Sequence, residues 1–188
     1  MNERAILVIS GTNRPDSNAL KIARIIVGHY QKAGVKTDLL SLSDLPREVF
    51  EPTAYANKPP GMVAIQQRVL VSQGIHVVTP EYNGSFPGVL KYFIDMLKFP
   101  ESFERKPVAF TGEAAGTWGA LRAVEQLQMI FGYRNAHLFC ARVFIPGVVQ
   151  KLDASGKLLD AELDQRLEKQ AIGFAKYSGL LCEVENRT

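Results

Sequence analysis

Short runs of apolar residues alternate along the chain with longer segments in which apolar residues recur every three or four positions. The continuous runs, at 5–10, 36–42, 75–79, 107–111 and 136–145, have the length and composition of strands that are buried on both faces. The periodic segments, at 18–33, 62–73, 89–99, 121–131 and 160–181, predict amphipathic helices. Because strands and helices alternate, the pattern predicts an α/β protein with a doubly wound, five-stranded parallel sheet and helices on both faces.

Composition and charge place limits on this picture. The chain has 188 residues, of which 46% are hydrophobic and 22% charged, so we expect residues 1–188 to form a single domain. The net charge of +3 is mild and no cluster of Lys and Arg stands out, so we expect no nucleic-acid partner. No apolar run approaches the roughly 20 residues that a membrane-spanning helix needs, so we expect no association with a membrane.

The N-terminus and the cysteines bear on the cellular compartment. Residues 1–4, Met-Asn-Glu-Arg, do not begin a signal peptide. Cys140 and Cys182 lie far apart in the sequence and show no metal-binding spacing, so we expect two reduced thiols and no metal site. These features favour a cytoplasmic protein.

The loop after the first predicted strand carries groups that suit a phosphate. Gly11 lets the backbone approach a ligand closely, Thr12 and Ser17 offer hydroxyl groups, and Arg14 offers a charged guanidinium. Asn18 then opens a helix, whose positive dipole end favours an anion. The plainer alternative is that Ser17 is an ordinary N-cap and Arg14 a surface charge. The loop matches neither the P-loop nor the G-x-G-x-x-G fingerprint.

The loop at 80–87 follows the third strand and suits a flat aromatic ligand with polar edges. Backbone groups around Asn83 and Gly84 can form hydrogen bonds with a ring edge, and Tyr82 can cover a ring face. Pro80 and Pro87 stiffen the loop.

A third loop, at 112–119, follows the fourth strand and is rich in small residues. Gly112, Gly116 and Gly119 allow the backbone to pass close to a ligand, whereas a plain turn between strand and helix would need fewer residues and no Trp118. A strand order of 2-1-3-4-5 would bring all three loops together at the switch point of the sheet, where ligands bind in open α/β folds.

The three loops together resemble those of the NAD(P)H-dependent FMN reductases, a flavodoxin-like family whose relatives include quinone, azo-dye and chromate reductases. The segment Pro80-Glu-Tyr-Asn-Gly-Ser-Phe-Pro-Gly-Val-Leu-Lys91 closely resembles the flavin-contacting loop of that family. Gly11-Thr12-x-Arg14-x-x-Ser17 is similar to its phosphate loop, although Ala19 stands where relatives often carry Thr, Ser or Asn. The resemblance covers residues 4 to 148 and includes the ending Phe144-Ile-Pro146.

The resemblance implies a flavodoxin-like fold and an enzyme that binds FMN without a covalent bond. Hydride would pass from NADPH or NADH to FMN and on to a flavin, quinone or similar acceptor. Because the flavin carries the chemistry, no catalytic acid or base is expected, and Tyr82 would form one wall of the cleft. The implied cofactor-binding residues are Gly11, Thr12, Arg14, Ser17, Asn18, Pro80, Glu81, Tyr82, Asn83, Gly84, Gly112, Glu113 and Gly116.

Two alternatives to the reductase hypothesis stay open. One is a flavodoxin-style electron carrier that holds FMN but does not turn over NAD(P)H; the basic net charge and the loop at 80–87 disfavour it. The other is a flavodoxin-like fold without flavin. His29, His76 and His137 are scattered along the chain, and each is expected to be structural or on the surface.

The helix that follows the loop at 80–87 bears two apolar stripes, one through Phe93 and the other through Ile94. A surface helix of a monomer needs one such stripe, so we expect the second to lie against another copy in a homodimer or homotetramer. Family members are also expected to associate in this way. The long connection at 43–61 could instead cover the second stripe within one chain.

Overall fold

The structure is a computed structural model, which describes residues 4–185. Residues 1–3, which carry most of the argument about a signal peptide, lie outside that range. The strands are β1 (Ile6–Ser10), β2 (Thr37–Ser41), β3 (Gly74–Pro80), β4 (Pro107–Ala114), β5 (His137–Leu138) and β6 (Val143–Pro146). The helices are α1 (Asn18–Lys32), α2 (Pro60–Val71), α3 (Gly88–Met96), α4 (Leu121–Tyr133), α5 (Val148–Lys151) and α6 (Ala161–Glu185).

The strands form one parallel sheet in the order β2-β1-β3-β4-β5, with β6 also paired to β4. This order confirms the flavodoxin-like arrangement expected from the sequence. The carboxyl ends of β1, β3 and β4 lie next to one another, so the loops that follow them share one edge of the sheet.

Side chains of the central strands alternate between two hydrophobic cores. On β1, Leu7 and Ile9 join the core beneath α2, α3 and α4, whereas Ile6 and Val8 join the core beneath α1 and α6. Strands that are buried on both faces consist of continuous apolar runs. The positions of these strands could therefore be predicted from the sequence pattern. The prediction of helices on both faces is confirmed.

The fifth strand differs from the prediction, because residues 136–145 do not form one strand. β5 pairs with the start of β4, β6 pairs with its end, and residues 139–142 separate the two. At the break, the side-chain amide of Gln170 donates hydrogen bonds to the backbone oxygens of Phe110 (2.8 Å) and Ala141 (3.0 Å). Gln170 therefore satisfies the backbone groups that the interrupted strand leaves without a partner.

The same glutamine ends a chain of buried hydrogen bonds that runs between the sheet and the layer of α1 and α6. Its amide N–H groups donate to carbonyls, so its Oε1 accepts from the hydroxyl of Thr111 at 2.7 Å. The hydroxyl of Thr111 must then accept from Nε2–H of His76 at 2.9 Å, and Nδ1 of His76 accepts from the hydroxyl of Tyr30 at 2.8 Å. We call these four residues, Tyr30, His76, Thr111 and Gln170, the buried relay.

Burial keeps the histidine of the relay uncharged. Desolvation is the larger influence and lowers the pKa of His76 from 6.5 to about 3, while its contact with Gln170 opposes the shift. The expectation that His76 is structural agrees with this position at the centre of the sheet.

Helix α3 does not expose the second apolar stripe that the dimer argument required. Leu90, Phe93, Ile94, Met96 and Leu97 are all buried within the chain. The connection at 43–61, predicted without regular structure, contains 3₁₀ turns at Leu42–Asp44, Arg47–Phe50 and Pro52–Tyr55. These turns lie over α3. The reason given for a dimer was therefore wrong, and the alternative of a loop that covers the helix within one chain is confirmed.

Tyr92 of α3 illustrates this cover. Its hydroxyl donates to the backbone oxygen of Val49, and its ring lies 5.2 Å from the ring of Phe50 and 5.6 Å from that of Tyr55, measured between centroids. Among the residues described, none of the helices is both long and apolar enough to cross a bilayer.

The low pKa of His76 predicts how stability depends on pH. The unfolded chain takes up a proton on His76 near pH 6.5, whereas the folded protein takes it up only near 3. Stability from this group is therefore complete above about pH 6.5 and is lost as the pH falls toward 3, by at most about 1.4 kcal/mol per pH unit. Denaturant titrations across this range should therefore show the stability of the wild type falling relative to that of His76→Gln with that slope, because the contribution of Glu113, whose raised pKa acts in the opposite direction, is common to both proteins and cancels.

Thr111→Val is the matched control for that prediction. It keeps the histidine but removes a buried hydrogen-bond partner, at a cost of about 1–3 kcal/mol. We expect lower stability at every pH with the wild-type slope retained. A wild-type slope in His76→Gln would show that another group controls the acid response.

Candidate active site

The loop between β1 and α1 places its polar side chains at the start of the helix. Ser17 has extended backbone angles and its Oγ accepts from the N–H of Leu20 at 3.2 Å, which makes it the N-cap of α1. Its hydroxyl proton remains available for a ligand. Thr12 is buried, whereas Arg14 is exposed.

Gly11 has a packing role in this loop. A Cβ atom at Gly11 would lie 3.0 Å from the side chain of Leu90 and 3.1 Å from the backbone oxygen of Val78. Its own N–H donates to that oxygen at 2.8 Å. The absence of a side chain therefore allows β1 to continue beside β3 and α3.

Residues 82–85 form a tight turn. Tyr82 and Ser85 exchange backbone hydrogen bonds of 2.8 and 3.1 Å. Asn83 and Gly84 between them both have positive φ angles, of 53° and 76°, the pattern of a type I′ turn, for which Asn-Gly is the favoured sequence. The N–H groups of these two residues have no backbone acceptor within residues 4–185, so they can serve a ligand.

Tyr82 connects the turn to the loop after β1. Its hydroxyl lies 3.0 Å from Oγ1 of Thr12, and the guanidinium of Arg14 lies 4.4 Å from the centre of its ring. A cation over a tyrosine ring is held by the ring's negative face. One side chain thus holds a hydroxyl and a charge of the β1–α1 loop in fixed positions.

The loop after β4 begins later than the sequence indicated. β4 continues to Ala114, so Gly112 and Glu113 belong to the strand, and the prediction that they lie in a loop was wrong. A Cβ atom at Gly112 would lie 2.7 Å from the backbone oxygen of Gly119, so this glycine packs against the start of α4. Gly116 does lie in the loop and has open space around it.

Glu113 is a buried carboxyl group at the end of the strand. Its exposed fraction is 5%. Burial raises the pKa of Glu113 from 4.5 to about 7, and the backbone N–H of Ala19, in the first turn of α1, opposes that rise by favouring the charged form.

One pocket of about 400 Å³ lies where these segments meet. The predicted site residues that line it are Arg14, Ser17, Asn18, Pro80, Glu81, Tyr82 and Glu113. The other predicted site residues, Gly11, Thr12, Asn83, Gly84, Gly112 and Gly116, are not part of its lining. We call it the strand-end pocket.

Sequence reasoning missed several residues of the strand-end pocket. The segments already predicted to contact a ligand contribute four further residues, Pro15, Asp16, Ala114 and Ala115. Val148 and Val149 form a wall that had not been expected, and they lie in α5, directly after β6. Two valines after a strand do not indicate a ligand site in the sequence. The strand order is what brings them to the strand-end pocket.

The donors of the strand-end pocket fit a ligand that carries a phosphate and a polar-edged ring. A guanidinium, a hydroxyl and the start of a helix converge on one end, where an anion is favoured. Glu81 binds Arg122 at 3.3 Å through Oε1, while its Oε2 is buried without a partner in the described structure and can accept from a ring N–H. The volume lies within the range of about 300–1,000 Å³ that is usual for ligand pockets. FMN has both features.

A larger groove of about 550 Å³ lies between α3 and α4, but it suits a phosphate less well. Its two cations are already engaged, because Lys91 pairs with Asp95 at 2.7 Å and Arg134 lies 4.1 Å from the centre of the ring of Phe99. Most of its wall is apolar, with Met129 and Tyr133 at its edge.

Comparisons with known proteins agree with this geometry. A family model described as NADPH-dependent FMN reductase matches residues 5–148. An NAD(P)H-dependent FMN reductase of Pseudomonas aeruginosa is 30% identical over 169 residues, which cover 88% of this chain and 90% of that protein. A quinone reductase of Escherichia coli is 29% identical over 143 residues, which cover 74% and 76% of the two chains. The structure of a flavoenzyme NAD(P)H:(acceptor) oxidoreductase from Paracoccus denitrificans has a TM-score of 0.79 at 24% identity, covering 94% of this chain and 97% of that one.

The chain belongs to the NADPH-dependent FMN reductase family. It is therefore a flavin-dependent oxidoreductase with FMN as cofactor and NAD(P)H as reductant. The alternatives of a passive electron carrier and of a fold without flavin are correspondingly disfavoured.

Removal of the Arg14 guanidinium tests the phosphate end of the strand-end pocket. We expect Arg14→Ala to weaken FMN binding roughly tenfold to a hundredfold, because a charged hydrogen bond contributes about 1.5–3 kcal/mol. A fluorescence titration of FMN with the flavin-free protein measures the change. Arg24→Ala removes an equal charge from the exposed side of α1 and should bind FMN as the wild type does. Unaltered affinity in Arg14→Ala would exclude Arg14 from the site.

Proposed function

We propose that this protein passes reducing equivalents from NADPH or NADH, through FMN held in the strand-end pocket, to a small-molecule acceptor of the quinone class. The observation that carries the proposal is the convergence of Arg14, Ser17, Tyr82 and Glu113 at the carboxyl ends of three strands, in a chain of the FMN reductase family. Support for a quinone comes from the similar quinone reductase of Escherichia coli. We further propose that residues 1–188 act as one FMN-binding domain in the cytoplasm.

The protein's part in this reaction is to bind and orient. Bound FMN supplies the hydride acceptor and donor chemistry. Arg14, Ser17 and the first turn of α1 hold the phosphate, and Tyr82 keeps Arg14 in place while it forms a wall of the cleft. The turn that follows Tyr82 lies next to the pocket lining, and the N–H groups of its Asn83 and Gly84 would hold a ring edge that extends beyond the pocket.

The entrance to the proposed cleft suits a flat aromatic acceptor. Val149, which is 60% exposed, lies on the rim of the strand-end pocket. Trp118, which is 58% exposed, belongs to the loop between β4 and α4, and the guanidinium of Arg122 lies 5.6 Å from its ring centre. Trp118 is not in the pocket lining, but its loop includes Ala115, which is. Exposed apolar and aromatic surface of this kind favours stacking with a planar substrate.

Anaerobic visible spectroscopy tests the proposal in two stages. We expect the protein loaded with FMN to lose its visible flavin absorption when NADPH or NADH is added, and to regain it rapidly when a benzoquinone follows. No loss of absorption with either nucleotide would contradict the proposed enzyme. Loss of absorption without faster recovery on addition of quinone would contradict the acceptor class alone.

We also propose that the protein forms a homodimer or homotetramer, with the groove between α3 and α4 as the contact surface. Because the stripes of α3 are buried, support now comes from Met129 and Tyr133, which are 69% and 83% exposed at the edge of this apolar groove. The groove is continuous with the turn at 82–85 through Ser85, whose hydroxyl donates to Gln126.

Light scattering checks this proposal. We expect a mass of at least twice the 20.8 kDa of the chain, and a shift toward the monomer in the double variant Met129→Ser and Tyr133→Ser. Leu180→Ser, which removes an exposed apolar side chain from α6, is the control and should keep the wild-type mass. A wild-type protein that remains monomeric at micromolar concentration would contradict it.

A further inference from the structure

We propose that Glu113 takes up a proton when FMN binds, so that the carboxyl group is neutral in the loaded enzyme and the affinity for FMN falls as the pH rises. This inference rests on the proposed position of the FMN phosphate beside the first turn of α1.

The alternation of side chains along β4 places Glu113 on the face toward α1. Gly112, one residue earlier, faces Ala120, the N-cap of α4, and Val124 within that helix. Glu113 therefore points to the opposite face, where Ile145, its register partner on β6, belongs to the core beneath α1 and α6. There it lines the strand-end pocket together with Arg14 and Ser17. The carboxyl group thus lies at the helix end where the phosphate is expected.

The groups around Glu113 do little to hold a negative charge. From the β1–α1 loop, Arg14 and Asp16 line the same pocket, but both are exposed and Arg14 lies over the ring of Tyr82. Directly after β3, Glu81 adds a carboxylate that already binds Arg122. The wall toward α5 is formed by two valines, and Lys151 of α5 binds Asp160. The backbone N–H of Ala19 is the favourable neighbour, and it only partly offsets burial.

A phosphate brought into this pocket competes with the carboxylate for the same helix end. Burial already raises the pKa of Glu113 to about 7, so near neutral pH the group is divided between its two forms. A phosphate close by is a second negative charge, and like charges at short range favour protonation of the weaker acid. Its second pKa is near 6, so the phosphate itself is fully charged at about pH 8. Binding there must therefore draw a proton onto the carboxyl group.

The measurable consequence is a coupling between binding and pH. Above about pH 7, each additional pH unit should weaken FMN binding by up to about tenfold, because one proton is taken up per FMN bound. Glu113→Gln is permanently neutral at this position and should bind FMN more tightly than the wild type at high pH, without this pH dependence. The carboxyl group is a positioning and charge-setting residue, and it does not react.

Calorimetric titration of the flavin-free protein with FMN tests the proposal. Titrations at about pH 8 in two buffers with different heats of ionisation give the number of protons taken up. We expect most of one proton for the wild type and for Asp16→Asn, an exposed carboxylate of the same pocket, and none for Glu113→Gln. Riboflavin, which has the same ring and no phosphate, should cause no uptake in the wild type.

The outcomes separate this inference from the function proposed above. No uptake by the wild type, or equal uptake by Glu113→Gln, overturns it. If Glu113→Gln does not fold, the infrared difference spectrum of the wild type decides: a protonated carboxyl band must appear on FMN binding at about pH 8, and its absence overturns the proposal. If Arg14→Ala weakens FMN binding while no proton is taken up, the phosphate site stands and this inference alone fails.

Discussion

The arrangement of the site depends on how closely β4 approaches α4 and β6. A Cβ atom at Gly112 would lie 2.7 Å from the backbone oxygen of Gly119, and one at Gly119 would lie 2.8 Å from the backbone nitrogen of Ile145. At both contacts, backbone atoms therefore pack directly against backbone atoms. Gly119 also has a φ angle of 55°, which favours glycine. Because Gly112 faces α4 and successive residues of a strand face opposite sides of the sheet, Glu113 must face α1. Two glycines that pack against protein backbone thus decide where the buried carboxyl group of the site lies.

The break in the fifth strand has a similar effect on the far wall of the strand-end pocket. Gln170 satisfies the backbone carbonyls at the gap between β5 and β6. The chain can therefore stop pairing with β4 at the end of β5 and pair again, as β6, with the carboxyl end of β4. Gly147, with a φ angle of 61°, then turns the chain so that Val148 and Val149 reach the pocket. An interruption supported by one side-chain amide therefore allows an apolar wall to face the polar loops.

The parts of the fold that follow from hydrophobic periodicity could be predicted, and so could the loops that hold the chemistry. β1 and β3 are continuous apolar runs that end in polar residues, and their boundaries lie within a residue of expectation. The end of β4 was missed because Gly112 and Ala114 are poor strand formers, and pairing with β3 and β6 overrides that preference. The 3₁₀ turns at 42–55 have no hydrophobic period to detect, and because they were not predicted, α3 was expected to need a partner. The pairing of Tyr82 with Thr12 joins residues 70 positions apart, a contact that only the three-dimensional fold can reveal.

The buried relay constrains how sequences of this kind can diverge. Each hydrogen bond from Tyr30 to Gln170 has a fixed donor and a fixed acceptor. A change in a single member therefore leaves a buried neighbour without its partner. Each such intermediate costs about 1–3 kcal/mol, and loss of Gln170 also leaves the backbone oxygens of Phe110 and Ala141 without their donor. Selection should therefore retain these four positions as a group. Residues on four separate elements of the chain would then be inherited as a single trait.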